Sequence, residues 1–240
     1  MLKLKIIAFF ILALFLTCAS GQEIIKKEDT LPLKDVIVEW NISIESTADT
    51  SEYKTYWSDN TLMAVGPVIS GKKKGLWKFY YKGTNGSSIM AEVHYKNDIV
   101  DGEVKEYYPS GRLQSKIHYK NGVLNGSKMT FYESGIGKYE EYYKDGKKYG
   151  KSFEYYENGT TRENAYFKDG MRDGMSMTFY KNGKRKSSGR YSMDKKNGQW
   201  DFFSEQGVIE SRGQYRNDEK TGVWYFYDTS GVKIDEQKYD

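Results

Sequence analysis

Residues 150–173 read GKSFEYYENGTTRENAYFKDGMRD, and residue 174 is again a glycine. In this stretch Tyr155-Tyr156 runs into Glu157-Asn158-Gly159, and Tyr166-Phe167 runs into Lys168-Asp169-Gly170. Asn-Gly or Asp-Gly directly after a β-type run is the strongest short-range hairpin signal. The stretch therefore reads as strand, turn, strand, turn. Working outward, the same pattern recurs every 24 residues. Gly102, Gly126, Gly150, Gly174, Gly198 and Gly222 hold one phase, and the turn glycines Gly111, Gly135, Gly159, Gly183, Gly207 and Gly231 hold a second. Tyr107, Phe131, Tyr155, Phe179, Phe203 and Tyr227 form an aromatic series. Tyr95, Tyr119, Tyr143, Phe167, Tyr191, Tyr215 and Tyr239 form another. Series that stay in register over six units define a repeat architecture.

The repeat extends backward. Gly75-Leu-Trp77-Lys-Phe79-Tyr80 matches Gly222-Val-Trp224-Tyr-Phe226-Tyr227, and this unit carries a three-residue insertion around Lys82–Ser88. A degenerate unit begins at Ser51, where Asn60 stands for the turn glycine; Asn is the next best residue at positive φ. Eight units start at 51, 75, 102, 126, 150, 174, 198 and 222. The expected fold is all-β: a single-layer array of consecutive antiparallel hairpins forming a twisted, elongated sheet. Sixteen strands at ~4.8 Å would span roughly 75 Å if flat. A three-residue loop ending in a left-handed glycine would pair Tyr107 with Leu113 and Phe203 with Ile209. A two-residue loop would send those partners to the other face; the three-residue loop is expected, because it puts apolar residues together.

Gly-x-Trp-x-Phe-Tyr (Gly75–Tyr80, Gly222–Tyr227), a turn glycine, then Tyr119-Lys-Asn-Gly122, resembles the MORN repeat variant of YwqK-type antitoxin proteins. The resemblance covers residues 51–240. It implies a bacterial protein of hairpin repeats, and a role as the antitoxin of a toxin–antitoxin system.

The termini and composition bound the rest. Met1–Lys5 is basic, Ile6–Leu16 is an unbroken run of 11 apolar residues, and Thr17–Gly21 are small. This is a secretory signal peptide over 1–21 with cleavage before Gln22, and the run is too short to span a bilayer. Export to the periplasm or the exterior is expected, with no transmembrane segment in the mature chain. The alternative is a lipoprotein anchored at Cys18, the one cysteine. Residues 22–50 form a segment in which Val36–Ile44 reads as a strand capping the first sheet edge. Without Lys3 and Lys5 the chain has 35 basic and 33 acidic residues. That balance supplies no single-sign field for nucleic acid.

The motifs of hydrolases, zinc proteases and phosphate-binding loops do not occur. His94 and His118 are 24 apart. They occupy one slot in adjacent hairpins, about 9–10 Å apart, which is awkward for sharing a metal. No enzyme activity, cofactor or metal is expected. The aromatics five and seventeen after each phase glycine read as a stacked core ladder: Tyr107, Phe131, Tyr155, Phe179, Phe203 and Tyr227 with Tyr119, Tyr143, Phe167, Tyr191 and Tyr215. Residues that vary on a repeating frame are the specificity set of a repeat protein. Trp77, Phe79, Trp200, Phe202, Trp224 and Phe226 are therefore the candidate partner-binding rings, with capping of the array as their structural alternative. The expected function is a non-catalytic scaffold binding a protein or envelope component. The alternatives are a glycan-binding module using those rings as stacking platforms, and a toxin-neutralising partner.

Overall fold

The structure is a computed structural model that describes residues 49–240. The leader, Cys18 and the capping strand expected at Val36–Ile44 lie outside the described residues. The described residues contain no helix and form seventeen strands. These are β1 (Thr50–Tyr56), β2 (Leu62–Ile69), β3 (Lys72–Tyr80), β4 (Ile89–Lys96), β5 (Ile99–Tyr107), β6 (Leu113–Lys120), β7 (Val123–Phe131), β8 (Gly137–Lys144), β9 (Lys147–Lys148), β10 (Gly150–Tyr155), β11 (Thr161–Lys168), β12 (Met171–Phe179), β13 (Arg185–Ser192), β14 (Lys195–Phe203), β15 (Ile209–Arg216), β16 (Glu219–Tyr227) and β17 (Lys233–Tyr239). Each strand pairs antiparallel with the next along the chain, in one open sheet. β8 pairs with both β9 and β10, which are two pieces of one strand interrupted at Tyr149. With those pieces joined, the strands are two per repeat unit.

The two turns of each unit differ, and so the two long edges of the sheet differ. At one edge the loop is three residues long. Gly159 N–H donates to Tyr156 O at 2.8 Å, Tyr156 N–H donates to Thr160 O at 2.8 Å, and Gly159 has φ +84°. The pairing that follows is Tyr107 with Leu113 and Phe203 with Ile209. Asn60 does hold the turn position of the first unit, at φ +63°. At the other edge the loops have two residues. Asn121-Gly122 sits at φ +49° and +77° between the paired Lys120 and Val123. Two positive φ values make the primed turn whose twist matches that of the strands.

The phase glycines lie inside strands. Between the pairs Val93–Val104 and Tyr95–Val100, residues 101–103 face His94 alone. Gly102 takes φ +118° at this bulge, and a Cβ there would approach His94 Cβ to 3.2 Å. The same bulge recurs opposite His118 and Tyr166, at Gly126 and Gly174. A bulge adds twist and re-aims side chains, and here it does so once per repeat.

Candidate binding surface

The sheet has two faces, and the core is concentrated on one. Trp77, Trp200 and Trp224 are 0%, 2% and 1% exposed. Each indole lies over a glycine of the preceding strand. A Cβ built on Gly66, Gly189 or Gly213 would come within 2.2–2.4 Å of the indole carbons of Trp77, Trp200 or Trp224 respectively. Each indole N–H then donates to the next carbonyl along: Pro67 O at 3.0 Å, Arg190 O at 3.1 Å and Gln214 O at 3.1 Å. The glycine makes room for the ring, and the carbonyl satisfies its one polar atom. Phe79 is also buried, while Phe202 and Phe226 are half-buried. Phe202 stacks between Trp200 and Trp224 at centroid distances of 5.9 and 6.1 Å. The reading of open stacking platforms therefore does not fit Trp77, Phe79, Trp200 and Trp224, which are buried as the capping alternative has it, while Phe202 and Phe226 stay half-buried. The three tryptophans bury the ends of the array because glycine opposite them leaves a slot that only a large ring fills.

The expected single ladder is also corrected, because its two series lie on opposite faces. Tyr191 and Tyr215 meet Trp200 edge-on at 5.2 and 6.2 Å. Phe203, next in the chain to Phe202, points the other way, as alternation along a strand requires. Tyr155 stacks on Phe153, the neighbour of buried Ser152, and Tyr107 donates to Glu92, between buried Ala91 and Val93. Both series are half-buried apart from Tyr95 and Tyr80, which are buried. Burial raises the Tyr95 phenol to about 12. Tyr107 also reaches about 12, from desolvation first and then from the hydrogen bond to Glu92.

Cations sit among the rings of the tryptophan face. Lys220 lies 4.3 Å from the Trp224 centroid, Lys196 lies 5.0 Å from Trp200, Lys148 lies 4.2 Å from Phe167, and Lys73 lies 4.8 Å from Tyr95. Burial pushes the Lys73 ammonium below its usual value, against the pull of Asp98. In the middle units, where the tryptophan slot holds Val104, Lys128, Ser152 and Ser176, the face turns polar. Buried Glu141 meets Lys148 and Lys128, and Glu163 meets Arg172 at 2.7 Å and Ser176 at 3.2 Å. These carboxylates are held by cations and hydroxyls.

One repeated contact is absent from the expectations above. Trp57, Tyr81, Tyr108, Tyr132, Tyr156 and Tyr180 each donate to a backbone carbonyl of the next unit: Tyr80, Tyr107, Phe131, Tyr155, Phe179 and Phe203. The five phenol bonds are 2.7–2.8 Å and the indole bond is 3.2 Å. The signal was an aromatic six residues after the start of each of the first six units, inside what reads as turn; the last two units have Ser204 and Asp228 there.

The opposite face carries the exposed chemistry. Its three-residue-turn edge has a depression of about 310 Å³ lined by Met129, Phe131, Ile136, Tyr155 and Gly159. Toward the other edge lie His94, His118, Tyr142 and Tyr166, one per repeat. His118 Nδ1 is 3.1 Å from Ser127 Oγ, and its Nε2 is 3.7 Å from Glu103. The Lys116 hydrogen bond is the main reason the Glu103 carboxyl lies below its usual value. His94 and His118 stand two strands apart, and the described residues contain no group of His, Cys, Asp and Glu that could hold a metal. No helix of the described residues is long and apolar enough to cross a membrane.

The molecule is thus an open, meandering sheet of hairpin repeats whose turns, bulges and ring contacts recur every two strands. Two segments of it, residues 100–121 and 148–169, match the family described as MORN repeat variant. They lie at the same phase, two repeats apart. No curated protein matches the chain. Among solved structures it is similar to one described as "Crystal Structure of TcdB2-TccC3", at 10% identity over 76% of this chain. The match spans only 12% of that chain, and its TM-score of 0.21 carries no argument.

Proposed function

We propose that this chain is a non-catalytic repeat scaffold, exported from the cell, that binds a protein or another envelope component. The observation that carries this is the open sheet itself. One frame of turns, bulges and carbonyl-bound rings repeats along it, while exposed side chains on it change from unit to unit. Extended repeat arrays are used for binding other macromolecules. The leader supports export, to the periplasm or the exterior, with acylation at Cys18 as the alternative. Mass measurement of the mature N-terminus tests this: a chain starting at Gln22 supports simple cleavage, and a diacyl-modified Cys18 supports the anchor. The scaffold reading is tested by cross-linking in intact cells followed by reconstitution from purified components. A complex that re-forms from two purified partners supports it. Failure of every cross-linked candidate to re-form a complex defeats it.

A narrower reading, the neutralising partner of a toxin, is supported by the resemblance to YwqK-type antitoxins; the two repeat matches support the repeat type it shares with them. Co-expression with the neighbouring gene product tests it. If the neighbour is not toxic in the same compartment, the narrower reading falls and the scaffold stands.

A further inference from the structure

His94, His118, Tyr142 and Tyr166 stand on β4, β6, β8 and β11, at the same position of four consecutive repeats. Each flanks a buried or half-buried pair: Val93 and Tyr95, Ile117 and Tyr119, Glu141 and Tyr143, Ala165 and Phe167. All four therefore point out of the opposite face. Tyr142 is 40% exposed, Tyr166 is 41% exposed, and the His118 side chain is 40% exposed. Successive members are two strands apart, ~10 Å.

The bulges determine how these rings lie. Opposite His94, His118 and Tyr166 the facing strand carries Gly102, Gly126 and Gly174. A Cβ on those glycines would approach the Cβ of the facing ring residue to 3.2, 3.1 and 2.9 Å, and its Cγ to 3.7, 3.7 and 3.5 Å. The missing Cβ lets the roots of these three rings settle against backbone, which leaves their outer sides toward solvent. Between the rings run Glu103, Ser127 and Lys151, paired across strands with His118, Tyr142 and Tyr166. The two acids of this strip are occupied: Glu103 meets Lys116 at 2.8 Å and Lys105 at 3.1 Å, and Glu140 accepts from the Tyr142 hydroxyl at 2.9 Å. Lys151 lies 5.7 Å from the Tyr166 centroid.

We infer that this strip is a binding track for an extended, neutral β-1,4-linked polysaccharide. A flat ring stacks on the apolar face of a pyranose, and the polar groups between rings serve the equatorial hydroxyls. An extended β-1,4 chain turns the same face outward once per disaccharide, a repeat close to the ~10 Å of two strand spacings. A strip whose acids are already occupied suits a neutral polymer better than a polyanion. The track uses none of the buried tryptophans. It is also separate from the protein-partner reading, which can fail while the track stands.

The probes are cellohexaose and chitohexaose, titrated calorimetrically into the mature chain, with cellobiose and the α-linked maltohexaose as controls. Each stacked ring contributes to affinity, so the Tyr142→Ala/Tyr166→Ala double variant should bind a β-linked hexamer about tenfold or more weakly. Both side chains are exposed, and an unchanged far-ultraviolet circular dichroism spectrum shows that the variant is folded. The hexamer should bind about tenfold more tightly than cellobiose, because it reaches more than one ring. The proposal is overturned by no heat at millimolar β-linked hexamer, by equal binding of wild type and double variant, or by equal binding of maltohexaose.

Discussion

At the scale of the residue, the repeat leaves a few positions that break its own rules. Met193 occupies the first place of a two-residue turn at φ +48°, with Asp194 at +65° and the Met side chain 65% exposed. Neither flexibility nor a short polar group eases a left-handed methionine, and that conformation costs a residue with a Cβ about 1–2 kcal/mol. Met193→Asn is expected to stabilise the chain by about 1 kcal/mol, read as a higher urea midpoint at unchanged slope. Gly213 is the opposite case. Its backbone is ordinary, but a Cβ would stand 2.3 Å from the Trp224 ring. Gly213→Ala is expected to cost about 1–3 kcal/mol by overpacking, with a shifted tryptophan emission. Unchanged stability and emission would show that the indole can slide off the glycine.

At the scale of the element, one hairpin is held to the next by ladder hydrogen bonds, by face packing and by a phenol reaching 23 residues ahead. Tyr156→Phe removes the 2.8 Å bond to Phe179 O and keeps the ring. The expected loss is about 1 kcal/mol, the net worth of one such bond. It should appear as faster amide exchange in the Tyr156–Thr160 turn and near Phe179, with protection at β1–β4 unchanged. Phe179→Ala is milder than the ladder reading implied. The ring is half-buried, so its loss should fall below the ~3–5 kcal/mol of a fully buried phenylalanine. These variants also test linearity. Contacts join a repeat to its neighbouring repeats, so damage in β12 should open its own repeat first. Loss of protection in all strands at once would mean a single cooperative core.

At the scale of the whole molecule, many half-buried phenols make alkaline pH the weak point. Tyr95 and Tyr107 are each raised to about 12 from 10.0, and Tyr119, Tyr191 and Tyr215 are raised in the same direction, all with desolvation as the first cause. Between those values the unfolded chain has released these protons and the folded chain has kept them. Stability is therefore full below about pH 10 and falls as pH rises toward 12. A Tm series from pH 8 to pH 11.5 should decline above about pH 10. Tyr95→Phe, which cannot ionise, should decline less steeply.

The sequence by itself determined the period, the strand order and the pairing register. Each depends on residues close in the chain: a left-handed glycine or asparagine at a turn, and strands too short to go anywhere but back. Gly159 and Asn60 announce their turns, and Tyr107–Leu113 follows from loop length alone. The tertiary structure alone decided which rings are covered. A one-layer sheet buries a side chain only by what stands beside it on neighbouring strands, and that depends on the small residue opposite and on the bulge that re-aims the strand. Trp224 stays open in the sequence between partner binding and capping because its own unit gives no sign that Gly213 lies beneath it. In the sequence His118 reads only against a metal site, because the close approach of Gly126 to its Cβ is a contact between strands that its own unit does not announce. The period is local chemistry repeated, whereas burial is a relation between strands, and in this molecule the glycines opposite the rings set it.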